Sequence, residues 1–292
     1  MWWRAAASAL SGIRHVGLIP LVLLLLLFAY GVPRGWGDIA GAPPSKSNPA
    51  NCNRPAFRVV LDVGHTLEAP GALSARGIPE YDFNLRLARQ IEDKLIAAGF
   101  GSTLLLITGG PAKRSLIRRV ARANLMRADL FVSIHHDSVP KPFKEEWEYD
   151  GQKNRFCDRF KGHSIFISHD SRKRNASISF ARQLGHQLKA RGLHYTPHYT
   201  QAFMGRWQRE LLDAEAGVYR YDELIVLRTT QMPAVLLEAG SIVNRDEELL
   251  LASAEHQLSI AAGVVDAVEG FCSSRHVPKA LISTLHLGAP KR

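Results

Sequence analysis

Two histidines and a glutamate stand where apolar runs stop, a second glutamate opens the helix after the first run, and residues of these types could hold a metal ion and move a proton. Val59-Val60-Leu61-Asp62-Val63-Gly64 leads into His65, and a loop of small residues (Ala69, Gly71, Ala72, Ala75, Gly77) then reaches Glu80. Asp129-Leu130-Phe131-Val132-Ser133-Ile134 leads into His135, and Ala234-Val235-Leu236-Leu237 leads into Glu238. Two imidazoles and one carboxylate are enough to hold zinc and leave a coordination position for water. A further carboxylate that does not ligate can take a proton from that water and return it to a leaving group. Each residue taken alone has an ordinary alternative. A histidine after a strand can simply face solvent, and a glutamate at a helix start favours the helix dipole. Glu238 resists such a reading, because a carboxylate buried without a partner costs several kcal/mol.

Positioning these residues requires strands that end together. Apolar periodicity predicts strands over 57–63, 103–108, 129–134, 163–168, 224–227 and 234–237. Helices are expected over 81–98, closed by Gly99, over 115–128, over 175–191, closed by Gly192, and over roughly 246–270. Such alternation specifies an α/β fold, a single three-layer αβα domain whose central, largely parallel (mixed) sheet has about six strands. Parallel strands release their C-terminal ends at one edge, where open α/β sheets bind ligands. His65, His135 and Glu238 would all emerge there, with Glu80 opening the first helix. Residues 193–223 carry several aromatics and no clear period, and from Val139 to Gly162 the pattern is lost among prolines and mixed charges. No internal repeat is evident.

The chain has 292 residues, 46% of them hydrophobic, which suits one globular domain with an N-terminal extension. Arg4, Arg14 and His15 precede an uncharged run from Val16 to Tyr30. A basic flank followed by an apolar stretch is the pattern of a secretory signal, and Gly35-Trp36-Gly37 offers a small-x-small cleavage site. Val16 to Val32 falls slightly short of the roughly 20 apolar residues that span a bilayer, so the segment reads as a signal peptide or an uncleaved membrane anchor. Either way the domain is exported, and membrane contact follows only if the segment stays uncleaved. Residues 38–56 read as a linker and the basic 273–292 as a tail. A net charge of +10 suits an anionic partner such as a cell-wall polymer; no nucleic-acid signature accompanies the lysines and arginines. Cys52, Cys157 and Cys272 show no metal-type spacing; Cys52 and Cys272 flank the domain, and a disulfide between them suits an oxidising compartment.

Four blocks of this sequence, in order, resemble the zinc-dependent N-acetylmuramoyl-L-alanine amidases of the cell-wall hydrolase family called amidase type 3. Val60-Leu61-Asp62-Val63-Gly64-His65 is similar to that family's strand ending in Asp-Pro-Gly-His, and Glu80-Tyr81-Asp82-Phe83-Asn84-Leu85 to its Glu-Lys-x-x-Asn-Leu segment. Ala123-Asn124 together with Ala128 to His135 resembles the stretch before the second histidine, and Pro233 to Gly240 the Pro-Ala-x-Leu-x-Glu-x-Gly block. The resemblance covers about 57–270. It implies one zinc ion per chain held by His65, Glu80 and His135, with Glu238 as the catalytic carboxylate. It also implies the substrate: the amide between N-acetylmuramic acid and L-alanine of the peptidoglycan stem peptide, in a periplasmic or wall-associated protein serving wall remodelling or daughter-cell separation. On this reading 57–272 is the zinc amidase domain, and 139–162 is an insertion.

The chain departs from the family pattern at several points. Val63 stands for proline, Thr66-Leu67 for a glycine pair, Gly109 for an arginine, His136 for a small residue and Ser241 for an aromatic. Strand alternation puts His135 and His136 on opposite faces, and His135 is the expected ligand. Some relatives carry an inserted helix after this histidine that blocks the zinc until an activator protein moves it. In 139–162 a glutamate among Glu145, Glu146 and Glu148 would play that part, against the alternative of an exposed substrate-binding loop. A catalytically silent wall-binding protein, or a zinc hydrolase of another amide, remain the competing readings of the whole chain.

Overall fold

In the computed structural model, residues 52–275 are described. The signal or anchor segment, most of the linker and the tail beyond Arg275 lie outside them. Strand β1 (Val59–Val63) is fully buried, as a run of branched aliphatics interrupted by one aspartate demands. After the site loop, α1 (Glu80–Ala97) starts at Pro79, whose backbone is extended; Glu80 and Asp82 occupy its first turn, where negative charge favours the helix dipole. Leu87, Ile91 and Leu95 recur on its inner face. There follow β2 (Leu104–Leu106), α2 (Ala112–Leu125) and β3 (Leu130–Asp137). The hairpin strands β4 (Glu145–Tyr149) and β5 (Gln152–Phe156) come next, then β6 (Ser164–Ile167) and α3 (Arg174–Lys189). The chain continues through β7 (Leu211–Asp213), β8 (Val218–Arg220), the short α4 (Ile225–Thr229) and β9 (Ala234–Ser241). It ends in α5 (Arg245–Ala252) and α6 (Ala254–Ser274).

Seven strands form the main sheet in the order β2-β1-β3-β9-β6-β8-β7, and β4 pairs only with β5. β2, β1, β3 and β9 are mutually parallel; β6 runs against β9, β8 runs with β6, and β7 runs against β8. The C-terminal ends of β1, β3 and β9 therefore meet at one edge, and β6 begins there, with Ser164 opposite Glu238. One sheet face packs on α1, α3 and α6. The other packs on α2, α4 and the aromatic segment around Tyr195 and Tyr199.

Three expectations are corrected. Residues 224–227 are not a strand: both edges of β9 are taken by β3 and β6, and the segment buries only Val226 and Leu227 against the sheet as helix α4. A short apolar run does not distinguish the two states by period. The last helix is two helices, broken at Ser253, whose hydroxyl caps α6 by accepting from the His256 N–H at 3.3 Å. Residues 139–162 are not featureless. They hold the β4–β5 hairpin, pinned by the Trp147 indole N–H donating to the Ala75 carbonyl at 2.8 Å and by Arg76 and Arg245, both stacked over Trp147. Cys52 and Cys272 form a disulfide, with Cα atoms 5.2 Å apart, and Cys157 is buried as a thiol. No helix among the described residues is long and apolar enough to cross a membrane.

Candidate metal centre and active site

His65 leaves β1 with a positive φ of 67°, a turn that swings its ring back over the sheet edge. His135 sits inside β3 on the face that carries Phe131 and Ser133, and Glu80 reaches up from the first turn of α1. The three side chains converge. His65 Nε2 is 3.0 Å from Glu80 Oε2, His135 Nδ1 is 3.0 Å from Glu80 Oε1, and one donor atom from each lies within 4.8 Å of the others. Donors around a tetrahedral zinc with bonds of about 2.1 Å stand about 3.4 Å apart, so this set fits such an ion.

Two glycines make room for the cluster. A Cβ on Gly64 would stand 2.5 Å from the His135 ring. One on Gly71, whose φ is +83°, would stand 2.5 Å from Glu80 Oε2 and 2.7 Å from His65 Cδ2. Glu80 is further held by the Asn84 amide at 3.2 Å and the Ala72 N–H at 3.2 Å. Burial works to raise the Glu80 carboxyl, but hydrogen bonds from His135 and His65 hold it below the usual carboxylate range.

Glu238 lies directly beside His135 in the parallel β3–β9 ladder, about 4.8 Å away by strand spacing and on the same face. Its Oε2 is shielded from solvent and accepts no hydrogen bond among the described residues. Burial pushes its pKa well up, and the neighbouring charges of Asp137 and Glu80 add to the rise. Asp137, buried at the end of β3, accepts the Tyr199 hydroxyl on both oxygens at 2.8 Å and the Ser138 N–H at 2.7 Å. Burial lifts it to about 7 despite those bonds. Glu80, Asp137 and Glu238 thus share one edge, and no lysine or arginine among the described residues forms an ion pair with any of them. Crowded carboxylates without a fixed cation are the chemistry that a bound dication satisfies.

His136 faces the other way. It is buried against Phe83, with Nδ1 2.8 Å from Asn84 Oδ1, and burial lowers its pKa to about 3, so it is a neutral packing residue of the α1 face. Asp62, adjacent in sequence to the site, makes no hydrogen bond to either histidine ring among the described residues. It accepts from Arg119 at 3.2 Å and from the Ser133 hydroxyl at 2.7 Å. Arg119, fully buried, also donates to the Val63 carbonyl at 2.6 Å and to the His65 carbonyl, so it fixes the path of the chain out of β1. Arg119, Asp137 and Tyr199 escaped the reading from sequence. For Arg119 a signal existed: an aspartate inside an apolar strand demands a partner, and Arg119 flanks the Leu116-Val120-Ala123 stripe of α2 that faces the sheet. Glu145, Glu146 and Glu148 are all exposed on the hairpin, outside the His–Glu–His group, and Glu146 pairs with Arg155 at 3.1 Å.

Known proteins resemble this chain in sequence and in fold. A protein from Neisseria meningitidis, N-acetylmuramoyl-L-alanine amidase AmiC, is 26% identical over 252 residues, covering 79% of this chain and 56% of that protein. The chain thus spans little more than half of that relative's length. The amidase Rv3717 of Mycobacterium tuberculosis is 24% identical, covering 71% of this chain and 75% of its own. Among solved structures, the amidase Ami1 of Mycobacterium smegmatis has the same fold, with a TM-score of 0.58 at 21% identity over 75% of this chain and 98% of that one. Residues 59–270 match the family Amidase_3, N-acetylmuramoyl-L-alanine amidase, and the chain belongs to that family.

Proposed function

We propose that the protein is a zinc-dependent amidase that cleaves the bond between N-acetylmuramic acid and L-alanine in peptidoglycan. The observation that carries it is the unpartnered Glu238 Oε2 beside the converged His65, Glu80 and His135. On this reading the last three hold one zinc ion. Zinc bound there supplies a Lewis acid that polarises the amide carbonyl and acidifies water. Glu238 Oε2 takes the proton of the attacking water as its oxygen bonds to the lactyl carbonyl carbon. The same oxygen then delivers that proton to the alanine nitrogen as the C–N bond breaks. Arg119 and Asn84 keep the chain out of β1 and the Glu80 carboxylate in place. Export, through the N-terminal segment as cleaved signal or inner-membrane anchor, places the enzyme at its substrate, in the periplasm or at the wall. A partner protein that moves the 139–162 hairpin would act as an activator.

The test is direct. Full-length protein is analysed for metal and incubated with peptidoglycan, alongside Glu238→Gln. Zinc near one per chain, release of stem peptides with free L-alanine amino termini, and loss of release with zinc retained in the variant are expected. Wall binding without release by the zinc-loaded wild type would favour a silent binding protein instead.

A further inference from the structure

Beside the metal edge lies a cleft of about 510 Å³ that the amide chemistry does not use; Arg159, Phe160, Lys161, His198, Gln201 and Phe203 line it. Residues 159–161 lead into β6, whose Ser164 is the ladder partner of Glu238. On the opposite wall His198 precedes Tyr199, the residue bonded to Asp137. The cleft thus opens on the same sheet edge as the proposed active site.

Its chemistry is cationic and aromatic. Phe160 and Phe203 stack with centroids 5.6 Å apart, and the Arg159 guanidinium lies 4.9 Å from each ring. A guanidinium laid on aromatic faces keeps its N–H edge available for a carboxylate. Arg159 and Lys161 are both exposed, and neither forms an ion pair among the described residues. His198 is buried between Phe160 and Tyr199; its Nδ1 is 2.6 Å from the Thr196 hydroxyl, while its Nε2 has no hydrogen-bond partner among the described residues. A wall with two unpaired cations and an unsatisfied imidazole nitrogen asks for an anionic acceptor.

We propose that this cleft is the subsite for a free carboxylate of the stem peptide, bound by Arg159 and Lys161. The inference rests on the amidase reading and specifies which part of that substrate sits where. Charge complementarity selects the peptide over the glycan: once the lactyl carboxyl is consumed in the scissile amide, an N-acetylated glycan strand carries no charge, whereas the peptide retains carboxylates.

Two synthetic N-acetylmuramoyl-L-alanyl peptides, differing only in a carboxylate or a carboxamide on the second residue, test it with zinc-loaded full-length protein. The wild type is expected to favour the carboxylate in kcat/KM, through KM, and to lose that preference as salt rises. In the double variant Arg159→Gln/Lys161→Gln the preference falls about tenfold, again in KM; Arg89→Gln, exposed on α1, keeps it. Equal preference in wild type and double variant, or equal weakening on both substrates as glycan contact would give, overturns the subsite and leaves the amidase reading standing. Failure of the wild type to cleave either substrate or peptidoglycan overturns that reading, and the subsite with it.

Discussion

At the scale of single residues, the candidate site depends on small clearances. Gly64 has no room for a methyl group beside the His135 ring. Gly64→Ala is therefore expected to weaken zinc binding about 10- to 100-fold, the range seen when groups orienting a ligand are disturbed. Competition with a chromogenic chelator measures it, and wild-type affinity in a folded variant would contradict the packing argument. Arg119 supports the same turn through charge. Arg119→Met leaves Asp62 buried without its cation, and a loss of about 3–5 kcal/mol in urea unfolding is expected; adding Asp62→Asn should recover part of it, since the uncompensated charge is then gone. That His65, His135 and Glu238 come together was legible because each follows an apolar run, and Glu80 because it opens the helix after the first of them. Asp137 was not, since nothing in Ile134-His135-His136-Asp137-Ser138 announces that the strand continues through it or that Tyr199, 62 residues later, will bond it.

At the scale of elements, period alone identified the strands that carry the site, because β1, β3 and β9 are buried on both faces and read as near-continuous apolar runs. The opposite half of the sheet was harder. β7 and β8 have three residues each, too few to show alternation, and their place is set by pairing with β6 rather than by their own pattern. The β4–β5 hairpin is likewise built from polar residues, Glu145-Glu146-Trp147-Glu148-Tyr149, and owes its order to one tryptophan. Trp147 is wedged against Arg76, Arg245 and Phe156 while its indole N–H holds the site loop at Ala75. Trp147→Ala should release the hairpin: amide exchange over 145–156 is expected to accelerate, with a global loss of only about 1–2 kcal/mol because the side chain is half-buried. Unchanged exchange there would mean that the hairpin is held by something other than Trp147.

At the scale of the whole domain, the two chain ends are tied to one another. The Cys52–Cys272 bridge spans 220 residues, and Arg54 pairs with Glu269 at 2.8 Å beside it. Chain-entropy arguments give a cross-link over so long a loop about 5 kcal/mol at most, and a paired Cys52→Ser/Cys272→Ser variant should lose a few kcal/mol in urea without losing the fold. Acid acts on the domain through its buried imidazoles. His163 is buried with neither ring nitrogen bonded to a side chain, and burial lowers its pKa to about 4 even though the nearby His194 and Ala216 carbonyls work to raise it. A histidine in the unfolded chain takes its proton near pH 6.5, whereas His163 in the folded domain does so only near 4. Between those values the unfolded state binds more protons, so this residue's contribution to stability is complete above about pH 6.5 and falls as pH drops towards 4. Raised carboxyls such as Asp137 act with the opposite sign, gaining stability over the same descent from about 7, so the total slope does not isolate the histidine. A difference measurement does. The change in unfolding free energy from pH 7 to pH 5.5 should be about 1 kcal/mol more stabilising in His163→Gln than in the wild type, because the variant lacks the group that the unfolded chain would protonate. Identical slopes in the two proteins would show that His163 takes up its proton in the folded domain as readily as in the unfolded one.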